Sequence, residues 1–177
     1  MEQSIRVRSV GTFRADDETG RGLESCWLDV SNAGGAVGFP FPPVARDEVR
    51  AATERLAEDV ARGSVRLVVA ESAGEVVGWV VLRLNASTVA SHWGRVERLQ
   101  SRPELRGSGI GSRLLEALIE DARSEGIEHL QLVLRSGEDL EAFYESRGWV
   151  EIGRHPRALR LSPGASTHSG RAGDEGG

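Results

Sequence analysis

Cysteine is nearly absent: Cys26 is the only one in 177 residues. An intramolecular disulfide is therefore impossible and a cysteine-rich metal site is excluded, so no metal is expected. A basic excess is lacking too. The 22 Lys and Arg are outnumbered by 27 Asp and Glu, for a net charge of -5. The basic residues are interspersed with acidic ones, which argues against nucleic acid and against a membrane surface as partners. No apolar run reaches the length of a membrane span, and the opening "MEQSIRVRSVG" has no signal-peptide core. A cytoplasmic protein is the simplest expectation. No internal repeat is visible. What is present is a 39% hydrophobic, 28% charged chain, the composition of one soluble domain with a sizeable core.

Periodicity sets out the elements. Ile5 to Val10 alternates apolar and charged residues and predicts a strand. Leu23, Cys26, Trp27 and Val30 fall on one face of a helix ending near "SNAGG". "GGAVGFPFPP" is a Gly- and Pro-rich loop bearing Phe39 and Phe41. "VARDEVRAATERLAEDVARG" predicts a second helix, stopped at Gly63. "SVRLVVAE" and "EVVGWVVLRLN" predict a hairpin, and "WGRVERLQS" a third strand of the same meander. A helix follows from about Ile110 to Ser124, with Ile110, Leu114, Leu115, Leu118, Ile119 and Ala122 on its apolar stripe. "IEHLQLVLR" predicts a strand, "GEDLEAFYESRG" a short helix, and "WVEIGR" with "RALRL" the end of the sheet. Trp27, Trp79 and Trp149 read as core, and Cys26 as a small buried hydrophobe. Residues 162–177, rich in Gly and Ser, predict a disordered tail after a single domain over residues 1–161. The fold class is α/β, a mixed sheet in the order β-α-α-β-β-β-α-β-α-β(-β), with a right-handed βαβ unit around the third helix.

The stretch "RGSGIG", Arg106 to Gly111, opens that third helix. A helix N-terminus presents unpaired N–H groups and a partial positive charge, and glycines let a phosphate approach them. The nucleotide P-loop needs Gly-Lys-Ser/Thr after four residues, and no lysine follows here. The dinucleotide fingerprint needs G-x-G-x-x-G in the first βαβ unit and an acid after the next strand. Here the spacing is G-x-G-x-G, late in the chain, and that strand ends at Arg135.

The loop resembles the acetyl-coenzyme A loop of the GNAT acetyltransferases, whose motif is Gln/Arg-x-x-Gly-x-Gly/Ala. The approach "LQSRPELRGSGIG" and the later "AFYESRGW" are similar to the family's strand-proline-loop and Tyr-x-x-x-Gly-Phe/Trp signatures. "GGAVGF", "HWGRVERLQ" and "GEDLEAFY" resemble the tabtoxin-resistance branch. The resemblance spans the ordered chain and implies a GNAT fold with acetyl-CoA as acyl donor. It implies that Arg106, Gly107, Ser108, Gly109, Ile110, Gly111 and Ser112 hold the pyrophosphate. It further implies that backbone at Leu99, Gln100 and Ser101 pairs with the pantetheine arm, as an added strand would.

The implied reaction is attack of a neutral amine on the thioester. It needs a base, an oxyanion donor and a proton for the thiolate. The family places the oxyanion donor at a backbone N–H near Leu99 and the acid at the tyrosine matched by Tyr144. A phenol is protonated at neutral pH and can donate. For the base, many family members carry a Glu where Arg95 stands here. Glu97, two residues on and on the same face, is the expected substitute, through water or directly. His92 is the competing group. Arg135 likewise replaces the acid of the branch's "LDT" ending. Arg95 and Arg135, with Phe39 and Phe41 as walls, are therefore the expected acceptor-binding residues, suited to an amine that bears an anionic group. The expected function is N-acetylation of a small-molecule amine by a monomer or homodimer. The rivals are a coenzyme A-binding sensor without catalysis, a protein N-acetyltransferase and a nucleotide-binding regulatory domain. The last strand of the sheet is supplied either by "RALRL" or by a dimer partner.

Overall fold

The hairpin predicted between residues 65 and 84 sets the centre of the sheet. β2 (Val65–Ser72) and β3 (Glu75–Leu84) pair antiparallel, Val69 opposite Trp79. Both turn residues between them, Ala73 and Gly74, have positive φ (51° and 85°), which matches the turn to the right-handed twist of the strands. The computed structural model describes residues 4–35, 38–39, 42–134 and 140–153. The chain divides into two compact units, Met1–Val133 and Leu134–Gly177.

In the first unit, β1 (Ile5–Val10) pairs antiparallel with β2, and β4 (Trp93–Ser101) antiparallel with β3. β5 (His129–Gln131) lies parallel to β4, giving the sheet order β1-β2-β3-β4-β5. On one face lie α1 (Glu18–Asn32) and α2 (Arg46–Ala61). They bury Leu23, Trp27, Val49 and Leu56 with Leu67, Val69, Trp79 and Val81 of the sheet in one apolar cluster. α3 (Ile110–Ser124) packs on the sheet through the predicted stripe, with Ile110, Leu114, Leu115 and Leu118 all essentially inaccessible. Gly78 makes that packing possible. A Cβ there would come within 2.9 Å of Ile110 and 2.8 Å of the Gln100 carbonyl.

The second unit holds α4 (Leu140–Glu145). Gly148, at φ 81°, ends its final turn, with the Trp149 amide donating to the Tyr144 carbonyl.

Three expectations are corrected. The strand predicted from "IEHLQLVLR" pairs only over His129–Gln131. The strand predicted from "WVEIGR" does not form over residues 149–153, where Val150 and Ile152 are 80% and 86% exposed. Alternation alone did not make a strand there, because no neighbour takes up its hydrogen bonds among the described residues. Trp149 is half-buried rather than core, packed edge-on against Tyr144. "RALRL", the residues of the predicted tail and the end of the predicted single domain lie outside the described residues.

Cys26 is fully buried among α1's apolar neighbours, and burial pushes its thiol pKa up to about 12. A thiol so placed has almost no thiolate at neutral pH. Native protein is expected to leave Ellman's reagent unreacted over hours and to release one equivalent on denaturation in urea.

Candidate functional site

β4 carries an irregularity that its sequence does not announce. Trp79 of β3 stands opposite Gln100, but Val81 stands opposite Glu97, so Arg98 and Leu99 together face Val80. This is a β-bulge, and Arg98 takes its left-handed position at φ 57°. A bulge bends and twists its strand. β5 pairs with β4 only from Trp93 to Arg95 and pairs no further. The far edge of β4 beyond Arg95 therefore has no strand beside it among the described residues. Leu99, Gln100 and Ser101 lie on this stretch, with Gln100 and Ser101 held by β3 on their other side.

β4 leads through a short turn, Pro103–Leu105, into the glycine loop. Arg102 fixes this junction. Its amide donates to the Val77 carbonyl, and its guanidinium reaches Asp29 of α1 at 2.8 Å and the Val76 carbonyl at 3.2 Å. In the loop, Gly107 and Gly109 both have positive φ (80° and 81°), and a Cβ on either would meet nothing within 4 Å. The Ser108 amide and hydroxyl both donate to the Leu105 carbonyl, which closes the turn. The amides of Gly107, Gly109, Ile110 and Gly111 have no hydrogen-bond partner among the described residues.

The other long helices are finished differently. At α1 the Asp17 carboxylate accepts from the Gly20 amide, and Glu18 lies in the first turn. At α2, Glu48 accepts from the Ala45 amide beside Asp47. α3 has no side-chain cap and no acid in its first turn. Its positive end thus has no acidic partner among the described residues, and the open side of both glycines gives a phosphate room to reach it. The residues present thus fit a pyrophosphate group.

Glu97 lies two residues before the bulged Leu99, and its carboxylate is engaged. Arg83 Nε lies 3.2 Å from both of its oxygens, and Arg83 Nη1 continues to Asp59 of α2 at 3.3 Å. Asp59 also accepts from Arg62 at 2.7 Å. Hydrogen bonding from Arg62, joined by Arg83, holds the Asp59 carboxyl below its usual range despite partial desolvation. A carboxyl depressed by folding adds stability above its unfolded pKa and loses it as pH falls. Asp59→Asn is therefore expected to lower stability at pH 7 by less than about 1 kcal/mol, the pair being partly exposed. The difference should shrink progressively below the ordinary carboxyl value of 3.8. Urea melts at pH 7 and pH 3 read it.

Arg95 is exposed and pairs across the sheet with Arg83 and Gln131. Phe39 packs on Trp27 with ring centroids 5.4 Å apart, and so ties its loop to the core. Phe41 and Arg135 lie outside the described residues. His92 immediately precedes β4, seven residues from Leu99, roughly 20 Å along an extended chain. Its Nε2 accepts from the Trp93 indole at 2.6 Å. Distance and that hydrogen bond together argue against His92 as the base. Tyr144 belongs to the second unit. It is buried there, with Phe143 and Trp149 edge-on at 5.0 and 5.8 Å, and burial raises its phenol pKa above the usual 10.

Sequence reasoning missed the environment of Arg98. Its guanidinium lies 4.8 Å from the centroid of the Trp27 ring. A Cβ on Gly38 would come within 3.3 Å of Arg98 Nε, so the loop backbone passes close by. Among the described residues, neither end of the buried Gln100 amide is paired, and nor is the buried Trp79 indole nitrogen. The register, Trp79 opposite Gln100, puts these two side chains on one face. No single-residue signal marks such a set, since it depends on the bulge.

Comparison with known proteins places this geometry. A relative from Azospirillum brasilense, an "IAA acetyltransferase", is 30% identical over 97 residues, 54% of this chain and 61% of that protein. Rice "Glucosamine 6-phosphate N-acetyltransferase 1" is 32% identical over 117 residues, 63% of this chain and 68% of that protein. The chain thus spans less than two thirds of the Azospirillum relative. In fold it is similar to a ribosomal-protein-alanine N-acetyltransferase from Brucella melitensis, with TM-score 0.66 and 22% identity over 84% of this chain and 86% of that one. The family model described as "Acetyltransferase (GNAT) family" matches residues 22–149. That match takes in the bulged strand, the uncapped helix and the tyrosine helix alike, and the chain belongs to the GNAT acetyltransferase family.

Proposed function

We propose that this protein transfers an acetyl group from acetyl-CoA to the primary amine of a small molecule. The observation that carries the reading is the uncapped α3 N-terminus, with the amides of Gly107, Gly109, Ile110 and Gly111 unpaired among the described residues and two left-handed glycines in the loop. Those amides donate to the pyrophosphate of the donor, joined by the loop residues Arg106, Ser108 and Ser112. The free edge of β4 at Leu99, Gln100 and Ser101 offers backbone groups to the amides of the pantetheine arm. Acetyl-CoA supplies the activated acyl group. The protein holds it, offers the Leu99 amide to the developing oxyanion, and donates a proton from Tyr144. Burial keeps that phenol protonated. Glu97 takes the amine's proton, through water where Arg83 occupies its oxygens.

The rice relative is named for an amino sugar bearing a phosphate, which supports a small, anionic amine as acceptor. A second reading is favoured by two observations: Glu97 is bound by Arg83, and Arg95 stands where the family often has an acid. On that reading the protein binds coenzyme A as a sensor without catalysis. The donor assignment is tested by calorimetry of acetyl-CoA against ATP. Binding of acetyl-CoA at micromolar concentration with no ATP heat is expected; the reverse preference overturns the reading.

A further inference from the structure

Among the described residues, Arg98 makes no hydrogen bond and no ion pair, although it is half-buried. Burial lowers its pKa, yet a guanidinium remains charged at any working pH. A desolvated cation without an acceptor is costly and is normally paired. The backbone does not ask for arginine here. At φ 57° a glycine would adopt the bulge without strain, whereas a side chain there crowds its own backbone. The stack on Trp27 and the close approach of Gly38 hold the side chain in place.

The local acids are committed elsewhere. Glu97 is engaged by Arg83, and Asp59 by Arg62 and Arg83. The remainder of the loop around Gly38 and Phe39 is Ala36, Val37, Pro40 and Phe41, which offer no carboxylate. Glu97 and Asp59 attract Arg98 through space without pairing with it, and Arg83 and Arg55 oppose them with positive charge. Two residues along β4, the Gln100 amide is buried and unpaired at both ends among the described residues. It shares a face with Trp79, whose ring packs 4.8 Å from that of Trp27. The set offers N–H donors in want of an acceptor.

The geometry points to Arg98 as the residue that reads an oxyanion on the amine acceptor, pairing its free N–H edge with a carboxylate, phosphate or phosphonate. The inference rests on the acetyltransferase reading above. It moves anion recognition from the exposed Arg95 to the bulge itself. There the anion is held next to Glu97 and Leu99, which sets the amine at the reacting carbonyl. A planar fork, fixed on an aromatic ring, suits two oxygens better than an ammonium would.

The test compares acceptors in pairs: phenylalanine with phenylalaninamide, 2-aminoethylphosphonate with ethylamine, and glucosamine 6-phosphate with glucosamine. The wild type is expected to favour at least one anionic member over its neutral counterpart by about 10- to 100-fold in kcat/KM, the worth of a charged hydrogen bond. Which pair shows it names the oxyanion. In Arg98→Met that ratio should collapse towards one, chiefly through KM, and Arg98→Lys should recover part of it. No anionic preference in the wild type, or an equal loss on both members in Arg98→Met, overturns the inference and leaves acetyl transfer standing. If no amine reacts although acetyl-CoA binds, the transfer reading fails instead. Calorimetry of the three anions with acetyl-CoA-saturated protein then decides: weaker binding to Arg98→Met sustains the inference, and equal or absent binding overturns it.

Discussion

Gly109→Val should raise the dissociation constant for acetyl-CoA at least about 10- to 100-fold, the cost of losing one or two charge-assisted hydrogen bonds. Gly109 is the N-cap of α3 at φ 81°, with open space where its Cβ would stand. A valine there forces the backbone out of the left-handed region or strains it, and places methyl groups where the phosphate must approach. Loss of stability alone could mimic this, so the other end of the same helix supplies the control. Gly126 has φ 73° and equally open space around its Cβ position. Gly126→Val should carry a similar drop in melting temperature, since the strain is of the same kind. It should bind acetyl-CoA like the wild type. Calorimetry and thermal melts on the two variants separate site from strain; equal loss of binding in both contradicts the cradle.

Tyr144→Phe should lower kcat about 100-fold or more, the usual contribution of a positioned acid, with KM for acetyl-CoA little changed. The ring is buried between Phe143 and Trp149, and phenylalanine keeps that packing. Only the proton donor is removed. The pH profile carries a further sign. An acid must be protonated to work, and burial raises this phenol above its ordinary 10. The wild-type rate should therefore show no alkaline decline from this group until beyond pH 10. A variant with unchanged kcat makes Tyr144 a packing residue and leaves the thiolate to take its proton from solvent.

Much of the fold is legible in the sequence, for physical reasons that differ by element. α3 runs from Ile110 to Ser124 as its apolar stripe predicts, because stripe and glycine loop agree on where it starts. The β2–β3 hairpin was equally plain from its β-branched runs and short polar turn. The bulge was not. It rests on Arg98, not on a glycine, and only the register against Val80 shows it. Everything that hangs on register was hidden with it. Glu97 pairs with Arg83, 14 residues away, and Gln100 shares a face with Trp79. The early end of β5 is likewise a matter of pairing: "LQLVLR" reads as strand, but it pairs with β4 only as far as Arg95, short of the bulge. Trp149–Gly153 shows the reverse error, an alternating segment with no partner strand among the described residues.

The site follows the same division. The proposed anion cradle is local, one loop and one helix end, so its residues can be read from one stretch of sequence. The surroundings of Arg98 draw on α1, the following loop and β4, so no single stretch of sequence marks the residue that the fold half-buries over Trp27.

The most direct measurement is release of free coenzyme A thiol from acetyl-CoA in the presence of the amine panel, with the amine product weighed by mass spectrometry in the same reaction. Thiol released in step with acetylated amine, and dependent on both substrates, is the predicted result. Acetyl-CoA bound tightly with no acetylated amine formed would contradict it, and would make the chain a coenzyme A-binding protein on an acetyltransferase fold.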